Sequence, residues 1–315
     1  MIRVSPPRSA PGADPAMHPG VVIALDIGGT KIDVALADRS GTVLERIRLE
    51  TRAALGPEQA LARAAEAAAQ LTRRARAEYG SQVVGHAAVS PGVVLPDRVL
   101  LAPNLPGWEE LPLAARLVEL LGAERVPVAN DVRAAALAEL RFGRLRGVDP
   151  GIYLSVGTGI AAALTVGGTV LAGANQAAGE IGYTAFDPGA AGQDRAPLEE
   201  LAGGKAVGER AGLLLGTAST AAEAYASTDP VAQQVVHQAL GALSVALANL
   251  TVFVDPQRVV VGGGLMGSAD TVLPVLAAHL RRAVPFPPEV VAAHFTQDAS
   301  LHGAVALALD TVAAH

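Results

Sequence analysis

The sequence contains no cysteine, which excludes disulfide bonds, iron–sulfur clusters and every zinc site built on thiolates. Aromatic residues make up only 3% of the 315 residues, so a hydrophobic fraction of 50% must come mainly from Ala, Val and Leu. Basic residues are also scarce, since 24 Lys and Arg stand against 30 Asp and Glu for a net charge of −6. Such a chain offers no general attraction for a phosphate backbone, and we therefore expect no nucleic-acid partner.

Clean hydrophobic runs of membrane-spanning length are missing as well. Residues 150–179 and 230–254 carry no formal charge, but glycines break the first segment and glutamines and an asparagine interrupt the second. We predict strands and a hairpin in the first and a buried helix in the second, and expect no membrane association. The seven histidines form no HxH, HExxH or HxxxH pair, so a transition-metal site is not expected.

The N-terminal segment is rich in proline and lacks the continuous apolar stretch of a secretory signal. We interpret residues 1–19 as a disordered tail and expect a cytoplasmic protein. Met17 is an alternative start to Met1, and the sequence leaves this choice open.

Apolar runs and helical patterns predict an α/β protein with mixed sheets. Strands are predicted at 21–27, 32–37, 43–51, 83–89, 126–129, 152–156, 160–166, from the Gly167-Gly168 turn to Leu171, 258–261 and 290–295. Helices are predicted at 57–79, 112–121, 131–142, about 197–215, 231–252, about 268–282 and 300–314. The order is not a purely alternating series of strands and helices.

The same glycine-turn pattern occurs in both halves of the chain. One predicted strand runs into Gly28-Gly29-Thr30 and a second apolar run, and another runs into Gly157-Thr158-Gly159 and a second apolar run. This repetition predicts a duplicated architecture that clamps a nucleotide. A third turn, Gly262-Gly263-Gly264, follows the predicted strand at 258–261.

The first glycine turn has two interpretations. Its backbone N–H groups can approach phosphate oxygens, Thr30 can add a hydroxyl donor, and Asp26 can hold a magnesium ion or its water. It can also be an ordinary hairpin whose glycines supply positive φ. Neither a Walker A sequence nor a GxGxxG turn after a strand is present. The other two glycine turns favour the phosphate interpretation.

Four polar side chains are candidates for chemistry on a hydroxyl. Asp131 follows Asn130 at a predicted helix start, where it is either a helix cap or a general base for a hydroxyl that attacks a γ-phosphoryl group. A helix N-terminus favours the ionised form that a base requires. Glu180, Glu199 and Asn104 can accept or donate hydrogen bonds to a polyol, although a loop carboxylate, a first-turn charge and a turn former explain them equally well.

Six segments occur in one order along the chain: LDIGGTKIDVAL, PNLPGW, ANDVRAAALAE, VGTGIAAAL, GANQAAGEIGY and VDPQRVVVGGG. Together they resemble the ROK family (repressor, open reading frame, kinase), particularly its glucokinase-like sugar kinases. The resemblance extends from about Val21 to the C-terminus. It implies a two-domain actin/hexokinase-type (ribonuclease H-like) fold, with ATP, Mg²⁺ and a sugar bound in an interdomain cleft.

The resemblance also implies roles for individual residues. Asp131 is expected to be the catalytic base. The expected sugar contacts are Gly92, Asn104, Asn130, Glu180, Tyr183 and Glu199. The expected phosphate and magnesium clamp is Asp26, Gly28, Gly29, Thr30, Lys31, Thr158 and Gly159, with Asp26 nearest the metal and Gly263 and Gly264 on the adenosine side. The implied domains are 20–131 with about 299–315, and 132–298 with the second phosphate turn, the sugar loop and the adenosine side; a homodimer is expected.

One segment departs from the family pattern. Most members have GEIGH followed by CxCGxxGCxE, whose His and three Cys hold a structural zinc. Here Tyr183 stands at the His position, and Ala190, Gly192 and Pro197 stand at the Cys positions. The joint replacement indicates a zinc-free subgroup, and it leaves the identity of the sugar open.

Two functions are consistent with these features. The first is an ATP-dependent hexose kinase that phosphorylates a sugar hydroxyl, with the 6-hydroxyl of glucose or a related hexose as the expected acceptor. The second is a non-catalytic sugar sensor that acts through a partner protein. The retained Asp26 and Asp131 favour the kinase.

Overall fold

A computed structural model describes residues 20–185 and 195–313, so the predicted disordered tail at 1–19 lies outside the described residues, as do Ala190 and Gly192. The chain divides into two compact units. Unit 1 comprises the described residues up to Ala134 together with those from Ser300, and unit 2 comprises Ala135–Ala299.

The strands and helices are numbered in chain order. The strands are β1 (Val21–Ile27), β2 (Lys31–Ala37), β3 (Val43–Glu50), β4 (Val83–Ser90), β5 (Val93–Val94), β6 (Val99–Leu100), β7 (Val128–Asn130), β8 (Gly151–Val156), β9 (Ile160–Val166), β10 (Thr169–Val170), β11 (Arg258–Gly262) and β12 (Glu289–Ala292). The helices are α1 (Pro57–Tyr79), α2 (Leu113–Leu121), α3 (Asp131–Phe142), α4 (Pro197–Ala202), α5 (Gly204–Leu215), α6 (Ala221–Ala226), α7 (Pro230–Val254), α8 (Ala269–Ala283) and α9 (Ala299–Ala313).

Unit 1 is organised around a five-stranded mixed sheet of order β3-β2-β1-β4-β7. Strands β1, β2 and β3 pair antiparallel, whereas β4 runs parallel to both β1 and β7. Alternate residues of β1 enter two cores, because successive side chains of a strand point to opposite faces. Ile23 and Leu25 pack with α1 and α2, and Val22 and Ala24 pack with α9.

The α9 side of unit 1 is packed closely because its residues are small. Ala24, Ala35 and Ala87 contribute to the core on this face of the sheet. A Cβ added to Gly303 in α9 would lie 2.0 Å from the carbonyl oxygen of Ala134, so only glycine permits this approach. The close fit fixes the start of α9 against α3.

Unit 2 repeats the arrangement of unit 1. Its sheet has the order β10-β9-β8-β11-β12, again with an antiparallel hairpin followed by two parallel neighbours. The hydrophobic core joins this sheet to the helices through residues such as Leu154, Leu243, Val261 and Leu276. The mixed α/β class matches the expectation from the sequence, and the predicted repeat of strand, glycine turn and strand forms the β1–β2 and β8–β9 pairs.

Two helices in unit 2 depart from the predicted continuous helix at about 197–215. The chain forms α4 and α5 instead, because Gly203 adopts an extended conformation (φ −62°, ψ 145°) between them. A Cβ on Gly204 would lie 2.4 Å from the carbonyl oxygen of Gly157, so the backbone approaches the second glycine turn here. A tertiary contact therefore overrides the local helical pattern.

Helix α7 is long and apolar enough to cross a membrane, with a mean hydropathy of 1.5 over its most apolar 18-residue window. Of that window, 56% is buried inside the protein. Leu240, Leu243 and Leu247 of α7 belong to the unit 2 core. No other helix among residues 20–185 and 195–313 passes this test.

Candidate active site

The carboxyl ends of three parallel strands carry the predicted catalytic residues of unit 1. Asp26 pairs in register with Val89, and Ser90 pairs with Asn130. Because β1, β4 and β7 are parallel, their carboxyl ends lie along one edge of the sheet. This edge brings together Asp26, the segment from Ser90 to Gly92, and Asn130 with Asp131.

Thr51 makes two hydrogen bonds to the first glycine turn. The Thr51 hydroxyl donates to the Gly28 carbonyl at 2.5 Å, and the Thr51 backbone N–H donates to the Thr30 carbonyl at 2.9 Å. In a trans peptide the C=O and the following N–H point in opposite directions, so the N–H groups of Gly29 and Lys31 are directed away from Thr51. Thr30 and Lys31 are exposed. The turn thus presents donors as an anion site requires.

Asn104 lies directly against this turn. A Cβ added to Gly29 would come within 2.8 Å of both the Cβ and the backbone oxygen of Asn104. Asn104 itself is exposed, between the buried side chains of Ala102 and Leu105. The structure therefore places the predicted phosphate turn and one predicted sugar contact side by side.

Asp26 has a partner that sequence reasoning missed. Its Oδ2 accepts a hydrogen bond of 2.6 Å from the hydroxyl of Ser300, in the first turn of α9. Among the described residues there is no group of three or more His, Cys, Asp or Glu side chains that could hold a metal ion. A single carboxylate nevertheless fits Mg²⁺, which proteins commonly hold through one or two carboxylates together with substrate phosphates.

Asn130 caps helix α3 and also holds Gly92. Its Oδ1 accepts hydrogen bonds from the backbone N–H groups of Val132 at 2.9 Å and Arg133 at 3.1 Å, while its Nδ2 donates to the Gly92 carbonyl at 2.9 Å. Gly92 adopts φ +86°, and a Cβ there would lie 2.4 Å from the carbonyl oxygen of Leu100. Asn130 therefore couples the end of β7 to the segment after β4.

Asp131 is partly buried at the first position of α3. Its Oδ1 accepts a 2.9 Å hydrogen bond from the N–H of Val132, which the Asn130 side chain also contacts. Asn130 already caps the helix. Capping alone therefore does not explain why a second side-chain acceptor, the carboxylate of Asp131, follows it.

The start of α5 donates two backbone hydrogen bonds to the second glycine turn. The N–H of Gly204 donates to the Gly157 carbonyl at 2.9 Å, and the N–H of Lys205 donates to the Thr158 carbonyl at 3.0 Å. By the geometry of the trans peptide, the N–H groups of Thr158 and Gly159 are directed away from α5. Both N–H groups can therefore donate to an anion on the side away from α5.

Glu180, Tyr183 and Glu199 form a polar cluster in unit 2. Tyr183 is 44% exposed at the end of a 3-10 turn over Ile181–Tyr183. Partial burial, together with the nearby carboxylates of Glu180 and Glu199, raises the pKa of Tyr183 above its ordinary value. Glu199 also touches the second glycine turn, where its Oε2 accepts a 2.8 Å hydrogen bond from the N–H of Ile160.

The third glycine turn lies beside the second. Gly263 follows β11 and adopts φ +93°, and a Cβ there would lie 2.5 Å from the carbonyl oxygen of Val156. Gly264 approaches Gly157, where a Cβ would lie 3.5 Å from the Gly264 nitrogen. Gly263 and Gly264 therefore share a sheet edge with Thr158 and Gly159.

The predicted site residues fall into two groups, one in each unit. Unit 1 holds Asp26, Gly28, Gly29, Thr30, Lys31, Gly92, Asn104, Asn130 and Asp131, and unit 2 holds Thr158, Gly159, Glu180, Tyr183, Glu199, Gly263 and Gly264. The sequence prediction missed Thr51, Ser300, Gly204 and Lys205, which support the turns from distant parts of the chain. Only the adjacent glycines at 203 and 204 gave a local signal of such a contact.

Known proteins resemble this chain over nearly its whole length. It is 33% identical to the N-acetylmannosamine kinase of Shigella boydii, over 91% of this chain and 97% of that protein. It is 34% identical to the bifunctional enzyme NanE/NanK of Brucella melitensis, but the match covers 54% of that enzyme, so the chain spans about half its length.

Solved structures agree with the sequence comparisons. The ROK hexokinase from Thermus thermophilus superposes with a TM-score of 0.79 and 31% identity, over 94% of this chain and 100% of that one. A ROK family glucokinase from Streptomyces griseus, in complex with glucose and AMPPNP, gives a TM-score of 0.72 and 28% identity over 92% and 100%. These similarities confirm the actin/hexokinase-type fold. Residues 22–311 match the sequence profile of the ROK family, and the chain belongs to that family.

Proposed function

We propose that this protein is an ATP-dependent sugar kinase that transfers the γ-phosphoryl group of ATP to a sugar hydroxyl, with the 6-hydroxyl as acceptor. The observation that carries the proposal is the shared edge of the unit 1 sheet, where the Asp131 carboxylate lies with Asp26 and the first glycine turn. A phosphoryl transfer to an alcohol needs a base and a phosphate site at one place. The names of its relatives, N-acetylmannosamine kinase and hexokinase, support the same activity.

Asp131 is the general base of this proposal. Its carboxylate accepts the proton of the sugar hydroxyl while that oxygen attacks the γ-phosphorus. Asn130 holds Gly92 at the same edge, so that both are available to orient the sugar.

The phosphate groups are held by backbone donors. In this proposal the N–H groups of Gly29, Thr158 and Gly159 contact phosphate oxygens, and Thr30 and Lys31 add a hydroxyl and an ammonium group. Gly28 has no side chain that would keep a phosphate group away from the turn. Gly263 and Gly264 lie on the adenosine side. Bound Mg²⁺ neutralises charge on the phosphates, and Asp26, oriented by Ser300, is the residue that holds it or its water.

The acceptor is a hexose or an N-acetylhexosamine, bound by Asn104, Asn130, Glu180, Tyr183 and Glu199. N-acetylmannosamine is the first sugar to test because relatives carry that name, and glucose is the second because the glucokinase structure contains it. Tyr183 replaces the usual histidine and offers a hydroxyl to the sugar. We expect no zinc, since Pro197, the first residue of α4, has no metal-ligating side chain.

A coupled ADP-release assay with Mg²⁺ and ATP tests the proposal against N-acetylmannosamine, glucose, mannose and N-acetylglucosamine. Sugar-dependent ADP release is expected with at least one of them. Absence of turnover with every sugar, while thermal shifts still report sugar binding, would instead favour the non-catalytic sensor. We expect the enzyme to act in the cytoplasm as a homodimer.

A further inference from the structure

Glu199 belongs to the polar cluster of Glu180, Tyr183 and Glu199, and it also contacts the second glycine turn. Its Oε2 accepts a hydrogen bond from the Ile160 N–H at 2.8 Å, immediately after the turn. A Cβ added to Gly159 would lie 2.2 Å from the same oxygen. The carboxylate therefore packs against the backbone of the turn itself.

The chain that follows Glu199 holds the same turn. The Glu199 carbonyl accepts a hydrogen bond from the Gly203 N–H at 2.8 Å, and the next two residues, Gly204 and Lys205, donate to the carbonyls of Gly157 and Thr158. Within the segment 199–205, three residues thus contact the turn or the residue that follows it: Glu199 through its side chain, and Gly204 and Lys205 through their backbone N–H groups. A shift of α4 cannot leave the turn unchanged.

Glu199 also packs against the segment that carries Tyr183 of the polar cluster. A Cβ on Gly182 would lie 3.2 Å from the Glu199 Cβ, and the Glu199 carboxylate is close enough to Tyr183 to influence its hydroxyl. Oε2 accepts from Ile160, whereas Oε1 accepts no hydrogen bond from residues 20–185 or 195–313 and can accept one from a ligand hydroxyl. One oxygen of Glu199 therefore holds the chain beside the turn while the other can contact a ligand.

We propose that Glu199 is a positioning residue for the phosphate turn in addition to a sugar contact, and that it couples sugar binding to nucleotide binding. The coupling rests on the proposed kinase function, whereas the positioning role does not require a sugar. A hydroxyl bound to Oε1 restricts the Glu199 side chain and hence the turn that Oε2 holds. Because such coupling is reciprocal, nucleotide must strengthen sugar binding by the same factor.

Calorimetric titration of AMPPNP with Mg²⁺, without sugar, tests the positioning role in Glu199→Gln and Glu199→Ala. The two variants have equal charge, but only glutamine retains an oxygen that accepts from Ile160. We expect Glu199→Gln to bind at least as tightly as wild type and Glu199→Ala to bind about tenfold more weakly than Glu199→Gln. Glu200→Ala, in the same helix and exposed, is the matched control with wild-type affinity. Loss of folded protein would lower the stoichiometry rather than the affinity.

Equal AMPPNP affinities of the two Glu199 variants would overturn the positioning role. Repeating the titrations with saturating N-acetylmannosamine tests the coupling: sugar should tighten AMPPNP binding several-fold in wild type and leave Glu199→Ala unchanged. The same enhancement in Glu199→Ala would overturn the coupling. Failure of the wild type to bind nucleotide or sugar would contradict the proposed function instead, so the two failures are distinguishable.

Discussion

Replacement of Asp33 by asparagine should destabilise unit 1, because this carboxylate is the buried partner of two arginines. Asp33 is 1% exposed on β2, and its oxygens accept hydrogen bonds from Arg46 and Arg48 of β3 at 2.7–3.1 Å. Asp33 is also the register partner of Asp26, so two carboxylates lie directly opposite each other across β1 and β2. The two guanidinium groups offset the repulsion that such a pair would otherwise cause.

The magnitude follows from burial of the three side chains. Removing one partner of a fully buried ion pair costs about 3–5 kcal/mol, because the remaining charge is left without compensation. Arg46 and Arg48 are 27% and 51% exposed, so water solvates them in part after the change. We therefore expect Asp33→Asn to lower the free energy of unfolding by about 2 kcal/mol, measured by urea denaturation.

The pH dependence provides a second readout for Asp33. Burial raises the pKa of Asp33, but hydrogen bonds and charge from Arg46 and Arg48 outweigh burial and hold it below its ordinary value of 3.8. A lowered pKa in the folded state gives stability that is complete above the unfolded pKa and is lost as the pH falls through the folded pKa. The stability difference between wild type and Asp33→Asn should therefore narrow below about pH 4.

The control for Asp33 is Asp97→Asn, which removes an ion pair with Arg98 in which both side chains are largely exposed. Its urea midpoint should equal that of wild type. An Asp33→Asn midpoint equal to that of the control, or a stability difference that widens toward acid pH, would refute this assignment.

Two further predictions concern a turn and a surface of unit 2. Gly159→Ala should weaken AMPPNP binding about tenfold in calorimetry, since its Cβ would lie 2.2 Å from Glu199 Oε2 and displace that oxygen from the Ile160 N–H. Gly241→Ala, with no atom within 4 Å of its added Cβ, should bind AMPPNP with wild-type affinity. Phe253 is 89% exposed on α7, and Val252 beside it is 62% exposed. If this apolar surface supports the homodimer, Phe253→Asp should halve the mass measured by light scattering, and an unchanged mass would exclude Phe253 from the interface.

Much of the fold could be predicted from local signals. Helix α1 was expected at Pro57–Tyr79 and has those bounds, because Pro57 starts it and Gly80 ends it in a left-handed conformation. Helix α2 likewise ends at Gly122. The adjacent glycines at 203 and 204 permit a break in the helix, but whether it forms depends on the approach of Gly204 to Gly157, 47 residues earlier in the chain.

In the candidate site, too, some residues could be placed from the local sequence and others depend on contacts with distant parts of the chain. Asp26 and Asn130 follow apolar runs, and the parallel pairing of those strands is enough to place them along one edge. Ser300 is 274 residues from Asp26, and nothing in its surrounding sequence distinguishes it from an ordinary residue at a helix start. Contacts of this kind arise from packing of α9 and become visible only in three dimensions.

The most direct test of the proposed kinase is Asp131→Asn, which retains the shape of the side chain but cannot accept the proton. We expect sugar-dependent ADP release to fall by at least about 100-fold, while sugar and AMPPNP bind with wild-type affinity in calorimetry. Sugar-dependent ADP release close to the wild-type rate in this variant would contradict the assignment of Asp131 as the general base.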